Sequence, residues 1–379
     1  RQWSRGLGDV YKRQDSNVVM EFINSNKLKK LAPMGTSCPD HFLRTKIKPL
    51  VLNIPKDIDL SDKKLVSKKI EPLFKKYRKD YREYYENCKK GNSPKIRDSN
   101  PVVILYPGVG MFTFAKNKQT SRIASEFYIN AINVMRGAET ISSYTSLSRQ
   151  EAFNIEYWLL EEAKLKRQPA EKPLSGKVSL VTGAGGGIGK AISEKLIKEG
   201  ANVIFVDISD DNFKDLKNKY NSDQALFCKC DVTKSDNIQN TINKSILKFG
   251  GLDIIINSAG LAISKSIQNT TEKDWDKLQR ILVKGQFLFS KLASKLFKIQ
   301  NLGGDIVNIV SKNGISSGPN NVGYGTAKAA QLHMSRLMAT ELAEFNIKVN
   351  SLNPDGVIIG SKIWKGSWAE ERAKSHGLK

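Results

Sequence analysis

The sequence predicts an α/β protein in two parts, with a doubly wound parallel sheet in the second part. Three observations lead there. A chain of 379 residues is long enough for two domains, each with its own core. From Gly176 onward, short β-rich apolar runs alternate with helical segments, which is the order of parallel strands covered by helices on both faces. Just before that change lies KRQPAEKPLSG, polar and twice broken by proline, which reads as a linker over 167–175.

The elements follow in order. Residues 1–14, RQWSRGLGDVYKRQ, share no pattern with what comes next. The string DVYKRQ resembles translated sequencing-adapter sequence, so 1–14 are expected to be non-native or disordered. The first domain is then 15–166. In KKLVSKKIEPLFKKYRKDYREYYENCKK, residues 63–90, Ile70, Leu73, Phe74, Tyr77, Tyr81 and Tyr84 recur at helical spacing. That stripe predicts a helix with one buried face and lysines on the solvated side. Segment 101–115 predicts two strands around a glycine-containing turn. A helix follows from Thr120 to about Arg136, with Ile123, Phe127, Ala131 and Val134 on one face. Another is predicted from Ser148 to Lys166, opened by a capping box of Ser148 and Glu151. In the second domain, 176–379, strands are predicted at 177–182, 202–206, 224–230, 252–257, 305–311 and 347–352.

Composition narrows the function classes. The formal charge is +23 and the pI about 9.7, which raises nucleic-acid binding as a reading. Lysines are spread along the whole chain rather than gathered in a patch, so no nucleic-acid partner is expected. No apolar run approaches the roughly 20 residues that span a bilayer, and no membrane partner is expected. The four cysteines, Cys38, Cys88, Cys228 and Cys230, form no CxxC pair, which fits a reducing cytoplasm. A small-molecule substrate and a homo-oligomer are expected.

The strongest chemical signal is KVSLVTGAGGGIGKAISEKLIKEGANVIFVD. A strand ends in a glycine-rich turn that opens a helix. Gly183 permits the tight turn, Gly187 admits a pyrophosphate beside the backbone, and Gly189 lets helix and strand pack closely. The helix N-terminus offers free N–H groups to phosphates. Asp207 ends the next strand, where a carboxylate accepts hydrogen bonds from ribose hydroxyls and repels a 2′-phosphate. NAD is therefore expected over NADP.

The TGxxxGxG spacing resembles the short-chain dehydrogenase/reductase family, which has a Rossmann fold. CDVT at 230–233, NSAG at 257–260, VNIVS ending at Ser311, and YGTAK with Tyr324 and Lys328 follow in the family's order. The resemblance implies cofactor contacts from Gly183, Gly187, Ile188, Gly189, Asp207, Asp231, Val232, Asn257, Ala259, Gly260, Tyr324 and Lys328. It implies a catalytic set of Ser311, Tyr324 and Lys328. Tyr324 and Lys328 are one helical turn apart, so the ammonium is expected to draw the phenol pKa down from about 10 toward working pH. Tyr324 then serves as general base and Ser311 orients the substrate oxygen. One departure stands out. In RILVKGQF, Leu282 occupies the position where the family carries an asparagine that holds a water in the proton relay.

The first half resembles the C-terminal part of a class II aldolase domain. The specific likeness is to bifunctional rhamnulose-1-phosphate aldolase/short-chain dehydrogenases of carbohydrate metabolism. It is carried by SCPDHFLRTKIKPL, by YPGVGMFTFAKNKQTSRIASEFYINAINVMRGAE and by NPDGVIIGSKIW near the C-terminus. Such aldolases hold zinc with several histidines. Before the dehydrogenase domain this chain has His41 alone, so His41 is expected to be a remnant of an incomplete metal site or a structural residue. Zinc is expected only in an intact aldolase parent, and no aldolase activity from these residues. The dehydrogenase domain is expected to be truncated at its substrate lid, leaving its last parallel strand as an exposed edge. The resemblance implies an NAD-dependent oxidoreductase acting on a small hydroxy or aldehyde substrate, with lactaldehyde as the specific expectation. The alternative is a non-catalytic NAD-binding or assembly module.

Overall fold

A computed structural model describes residues 10–357, apart from 37, 56–57, 60–61 and 168–169. The chain divides into two compact units, Arg1–Lys172 and Pro173–Lys379. In the first, the order is β1 (Val10–Gln14), α1 (Asn17–Asn24), α2 (Leu28–Leu31), α3 (Phe42–Thr45), β2 (Leu50–Val51) and α4 (Lys63–Cys88). Then come β3 (Val103–Tyr106), β4 (Gly110–Ala115), α5 (Lys118–Ile141), α6 (Arg149–Glu156) and α7 (Leu159–Lys166). Its strands lie in the order β1-β4-β3-β2. β4 runs antiparallel to β1 and β3, while β2 is parallel to β3.

Successive side chains of β3 point to opposite faces, as the pleat requires. Val103 and Leu105 join a cluster with Phe22, Ile23, Tyr128 and Ile132. Ile104 joins the other, with Phe74, Tyr77, Tyr81, Tyr84 and Phe153. The tyrosine stripe predicted over 63–90 is thus the buried face of α4. The helix predicted from Ser148 to Lys166 forms as two. Trp158 takes an extended backbone, φ −65° and ψ 132°, which separates α6 from α7. The Ser148–Glu151 capping box is present at the start of α6.

Residues 10–14 depart from the expectation of disorder. They pair with β4 from Val10↔Ala115 to Gln14↔Met111. The Tyr11 ring packs 6.0 Å from those of Phe112 and Phe114, and Lys118 Nζ donates to the Tyr11 carbonyl at 2.6 Å. Those contacts order the strand without any helix or strand periodicity in its sequence. Residues 1–9 lie outside the described residues.

The second unit runs β5 (Val178–Thr182), α8 (Gly187–Lys198), β6 (Asn202–Asp207), α9 (Lys214–Lys219), β7 (Ala225–Lys229), α10 (Ser235–Phe249) and β8 (Ile254–Asn257). It continues with α11 (Glu272–Leu278), α12 (Gly285–Gln300), β9 (Gly304–Ile309), α13 (Val322–Leu342) and β10 (Ile347–Leu352). All six predicted strands form one parallel sheet, ordered β10-β9-β8-β5-β6-β7. The chain winds outward from β5 through β6 and β7, then returns to β8 on its other side. A crevice opens beyond the strand ends at such a reversal, and ligands bind there in open α/β sheets. β5 is fully buried along its length, as a central strand covered on both faces must be. β10 and β7 are the edge strands of this sheet among the described residues, and 358–379, with the expected lid truncation, lie outside them. No helix of the described residues is long and apolar enough to cross a membrane.

Candidate active site

The crevice is a cleft of about 650 Å³ along the C-terminal ends of the strands, well inside the ~300–1,000 Å³ typical of small-molecule sites. One end is built by the turn between β5 and α8. Gly183 has φ +66°, a conformation that side chains other than glycine's disfavour, and a Cβ there would lie 2.9 Å from Ala259 Cα. Thr182 Oγ1 accepts from the amides of Ser258 and Ala259, both at 3.0 Å. The glycine turn and the NSAG element are therefore locked together by the Thr182 hydroxyl and by close backbone approach at Gly183. A Cβ on Gly189 would come 2.3 Å from the Gly183 carbonyl oxygen, so the close helix–strand approach expected of Gly189 is present. Asp207 lines the cleft. Its Oδ2 accepts from the Gly185 amide at 3.0 Å and its Oδ1 from Asn212 Nδ2 at 2.7 Å. Asp231 also lines it. Burial opposes ionisation of that carboxyl, but hydrogen bonds from the Thr233 amide and hydroxyl, at 2.9 and 2.7 Å, hold it below its usual range.

The other end carries the acid–base groups. Ser311, Tyr324 and Lys328 all line the same cleft as the glycine turn. Ser311 follows β9, and its Oγ accepts from the Asn313 amide at 3.2 Å. Lys328 is 6% exposed, and its Nζ donates to the Ile309 carbonyl at 3.0 Å. Nζ lies 5.7 Å from the centre of the Tyr324 ring. The electrostatics depart from the sequence expectation. Burial raises the Tyr324 phenol above its ordinary value, opposed by a hydrogen bond with Ser311. Burial also lowers Lys328 to about 7. Burial penalises both charged forms, and the pull on the tyrosine that was expected from the lysine does not outweigh it.

Other predicted residues sort as follows. Ile188, Val232, Ala259 and Gly260 line the cleft with Gly187. Asn257 does not reach its wall. Its Nδ2 donates inside the core to Asn308 Oδ1 at 2.8 Å and Ser290 Oγ at 3.2 Å. His41 is not brought into a metal centre. It is 5% exposed, its Nδ1 meets Thr36 Oγ1 at 3.0 Å, and its ring stacks on Phe127 with centroids 4.8 Å apart. Among the described residues no three His, Cys, Asp or Glu side chains gather as a metal site would require. The Thr36 hydrogen bond and the stacked aromatic make it a packed structural side chain. Leu282 is buried with Leu278, Ala327 and Tyr324.

Sequence reasoning missed several cleft residues: Asn212, Asn313, Asn320, Asn321 and Asp355. Asp355 pairs with Lys312 at 2.8 Å across the loops that follow β10 and β9. The stretch NPDGVIIGSKIW, which carries part of the family resemblance, was the one available signal for Asp355. Asn212 and Asn313 sit in single 3-10 turns and Asn320 and Asn321 in the loop before α13, where no periodicity marks them.

Comparisons with known proteins point to an oxidoreductase family. The family description "short chain dehydrogenase" matches residues 177–371, more than half of the chain, and "Aldolase class II, second domain" matches residues 6–165. The uncharacterized oxidoreductase YuxG of Bacillus subtilis is 36% identical over 368 residues, covering 96% of this chain and 53% of the relative. The chain thus spans about half of that protein's length. An NAD-dependent glycerol dehydrogenase of Listeria innocua is 34% identical over 203 residues, 53% of this chain and 79% of the relative. An uncharacterized oxidoreductase of Thermotoga maritima is 38% identical over 181 residues, 47% of this chain and 71% of the relative. Through its second unit, the chain belongs to the short-chain dehydrogenase family.

Proposed function

We propose that the second unit is an NAD-dependent oxidoreductase acting on a small hydroxy or aldehyde compound, with lactaldehyde as the first substrate to test. In this reading the chain is part of a longer protein that is also a rhamnulose-1-phosphate aldolase. The observation that supports it best is the convergence of Ser311, Tyr324 and Lys328 on the cleft that holds the glycine turn. A relative described as an NAD-dependent glycerol dehydrogenase is in keeping with a small polar substrate.

Bound nicotinamide supplies the hydride acceptor or donor. Ser311 donates a hydrogen bond to the reacting substrate oxygen. Tyr324 takes the proton of a substrate hydroxyl in oxidation and returns it in reduction. Lys328 bonds the nicotinamide ribose, a hydrogen bond that favours its charged form beside the phenol. Asp207 accepts from the adenosine ribose and repels a 2′-phosphate.

Leu282 favours a second reading, a non-catalytic NAD-binding or assembly module, because it puts an apolar side chain against Tyr324 where the family resemblance places an asparagine. Spectrophotometric NADH formation with lactaldehyde or glycerol separates the two. Turnover with NAD supports the enzyme. NAD binding without turnover on any small hydroxy compound favours the module, and failure to bind NAD overturns both.

A further inference from the structure

The cleft wall departs from the charge of the chain. The protein carries a formal charge of +23, yet the charged residues lining the cleft, among those described, are three aspartates and one lysine: Asp207, Asp231, Asp355 and Lys328. Asp207 and Asp231 stand at the glycine-turn end. Lys328 is buried, and its ammonium is bonded to the Ile309 carbonyl. Asp355 belongs to the acid–base end. β9 and β10 go on pairing past their last strand residues: the Val310 amide donates to the Leu352 carbonyl at 2.8 Å and the Lys312 amide to the Pro354 carbonyl at 3.0 Å. Ser311 lies between those two bonds, so Asp355 directly follows the segment that flanks Ser311.

The polar groups that share this cleft match a hydroxylated compound. Ser264, Asn313, Asn320 and Asn321 line it as well. The Ser264 hydroxyl donates to the Asn320 carbonyl at 3.0 Å and Lys265 bridges to Asn321, which ties the loop after β8 to the loop before α13. Hydroxyl and carboxamide side chains both donate and accept, whereas a carboxylate only accepts, through roughly four lone-pair sites. Lys312 Nζ donates to Asp355 Oδ2 at 2.8 Å without itself lining the cleft. The two side chains are 41% and 53% exposed, and ion pairs as exposed as this add little to stability. An acceptor-only group on a cleft wall calls for a donor, and a neutral hydroxyl supplies one. A substrate carboxylate has no donor to give and meets a like charge.

We propose that Asp355 is a specificity-determining residue of the cleft. It accepts a hydrogen bond from a second hydroxyl of an uncharged diol or polyol, and it excludes compounds of the same skeleton that carry a carboxylate at that place. Lys312 orients the Asp355 carboxylate and partly offsets its charge.

The proposal rests on the reading of the cleft as an oxidoreductase site, and its test has one arm that does not. Propylene glycol and lactate share a carbon skeleton and a secondary hydroxyl, and differ in a hydroxymethyl group against a carboxylate. With the full chain and NAD, kcat/KM for each is read from NADH formation, and wild type is expected to prefer propylene glycol. Asp355→Asn keeps the size and removes the charge, and is expected to narrow that preference about tenfold, the scale of one like-charge contact in partly screened surroundings. Lys312→Met is expected to widen it, because the carboxylate loses the cation that offsets it. An ion pair that merely held the loops together would move the preference the same way in both variants. Equal turnover of the two compounds by wild type, an unchanged preference in Asp355→Asn, or a change of the same direction in both variants overturns the proposal. Absence of turnover on both compounds counts against the oxidoreductase reading instead, and saturation-transfer NMR of the same two compounds on the chain then decides the proposal. Weaker saturation of lactate than of propylene glycol, with the gap narrowed in Asp355→Asn, upholds it; equal saturation, or none, overturns it.

Discussion

Gly185→Ala measures how tightly the glycine turn is pressed against Asp207. An added Cβ would lie 2.3 Å from Asn212 Cβ and 2.8 Å from Asp207 Oδ2, where ordinary contact begins at 3.4 Å. The nearest atom is not the end of a flexible side chain but the Cβ of Asn212, so the loop after β6 has to move by about an ångström to restore contact distance. Asp207 must move with it, because both of its oxygens are bonded to this turn and to Asn212. Overpacking of this kind costs roughly 1–3 kcal/mol. If the displacement falls on the ribose site, that is about 5- to 150-fold in NADH affinity. Calorimetric titration of NADH into wild type and variant reads it. Gly318→Ala serves as control, since its Cβ would meet only Asn321 Nδ2 at 3.7 Å. An unchanged NADH affinity in Gly185→Ala, with the fold intact by circular dichroism, would show that the Asp207 contact does not set cofactor binding.

Tyr324→Phe removes the proton acceptor and keeps the ring, so turnover is expected to fall by at least ~10²–10⁴-fold with NADH binding retained; undiminished turnover refutes the assignment. Asp207→Ala is expected to bring NAD and NADP affinities closer together, and equal affinities already in wild type would refute the role given to Asp207. Glu156 is buried, and burial raises its carboxyl above the usual value against the pull of the Tyr81 and Tyr84 phenols that donate to it at 2.5 and 3.2 Å. A raised folded value means the folded protein holds this proton longer, so its stabilising contribution is full below about pH 4 and is lost as pH rises through the folded value. Glu156→Gln is expected to remove that component from thermal melts taken across pH, and identical pH profiles for both proteins would contradict it. Gly137→Ala, on α5 with nothing within 4 Å of an added Cβ, is expected to stabilise by about 0.5–1 kcal/mol, and a lowered melting temperature would refute it.

The parallel sheet was legible because its information is local and repeated. Each of the six strands of the second unit is an apolar run bounded by turn residues, and alternation with helices leaves few topologies open. The glycine turn, Ser311, Tyr324 and Lys328 were legible because backbone approach and helical spacing fix which residue types can stand there. The same holds for the tyrosine stripe of α4 and the capping box of α6, which depend on neighbours three or four positions away.

Tertiary structure decided what depends on residues far apart in sequence. β1 is ordered by pairing with β4, about a hundred positions away, and nothing within DVYKRQ announces it. Asn257 and His41 carry side chains suited to a ligand, yet Asn308 and Ser290 take up the first, and Thr36 and Phe127 the second. The sign of the Tyr324 shift was also beyond reach. Sequence places an ammonium one turn away, but the ionisation of both groups is governed by enclosure, and enclosure is a property of the packed cleft. The carboxamide pair of Gln286 and Gln331 is the furthest case. Each reads as an ordinary polar helix residue, and only the packing that joins Gln286 of α12 to Gln331 and Ser335 of α13 leaves their carboxamide oxygens buried without a hydrogen bond, because burial is fixed by what another element covers.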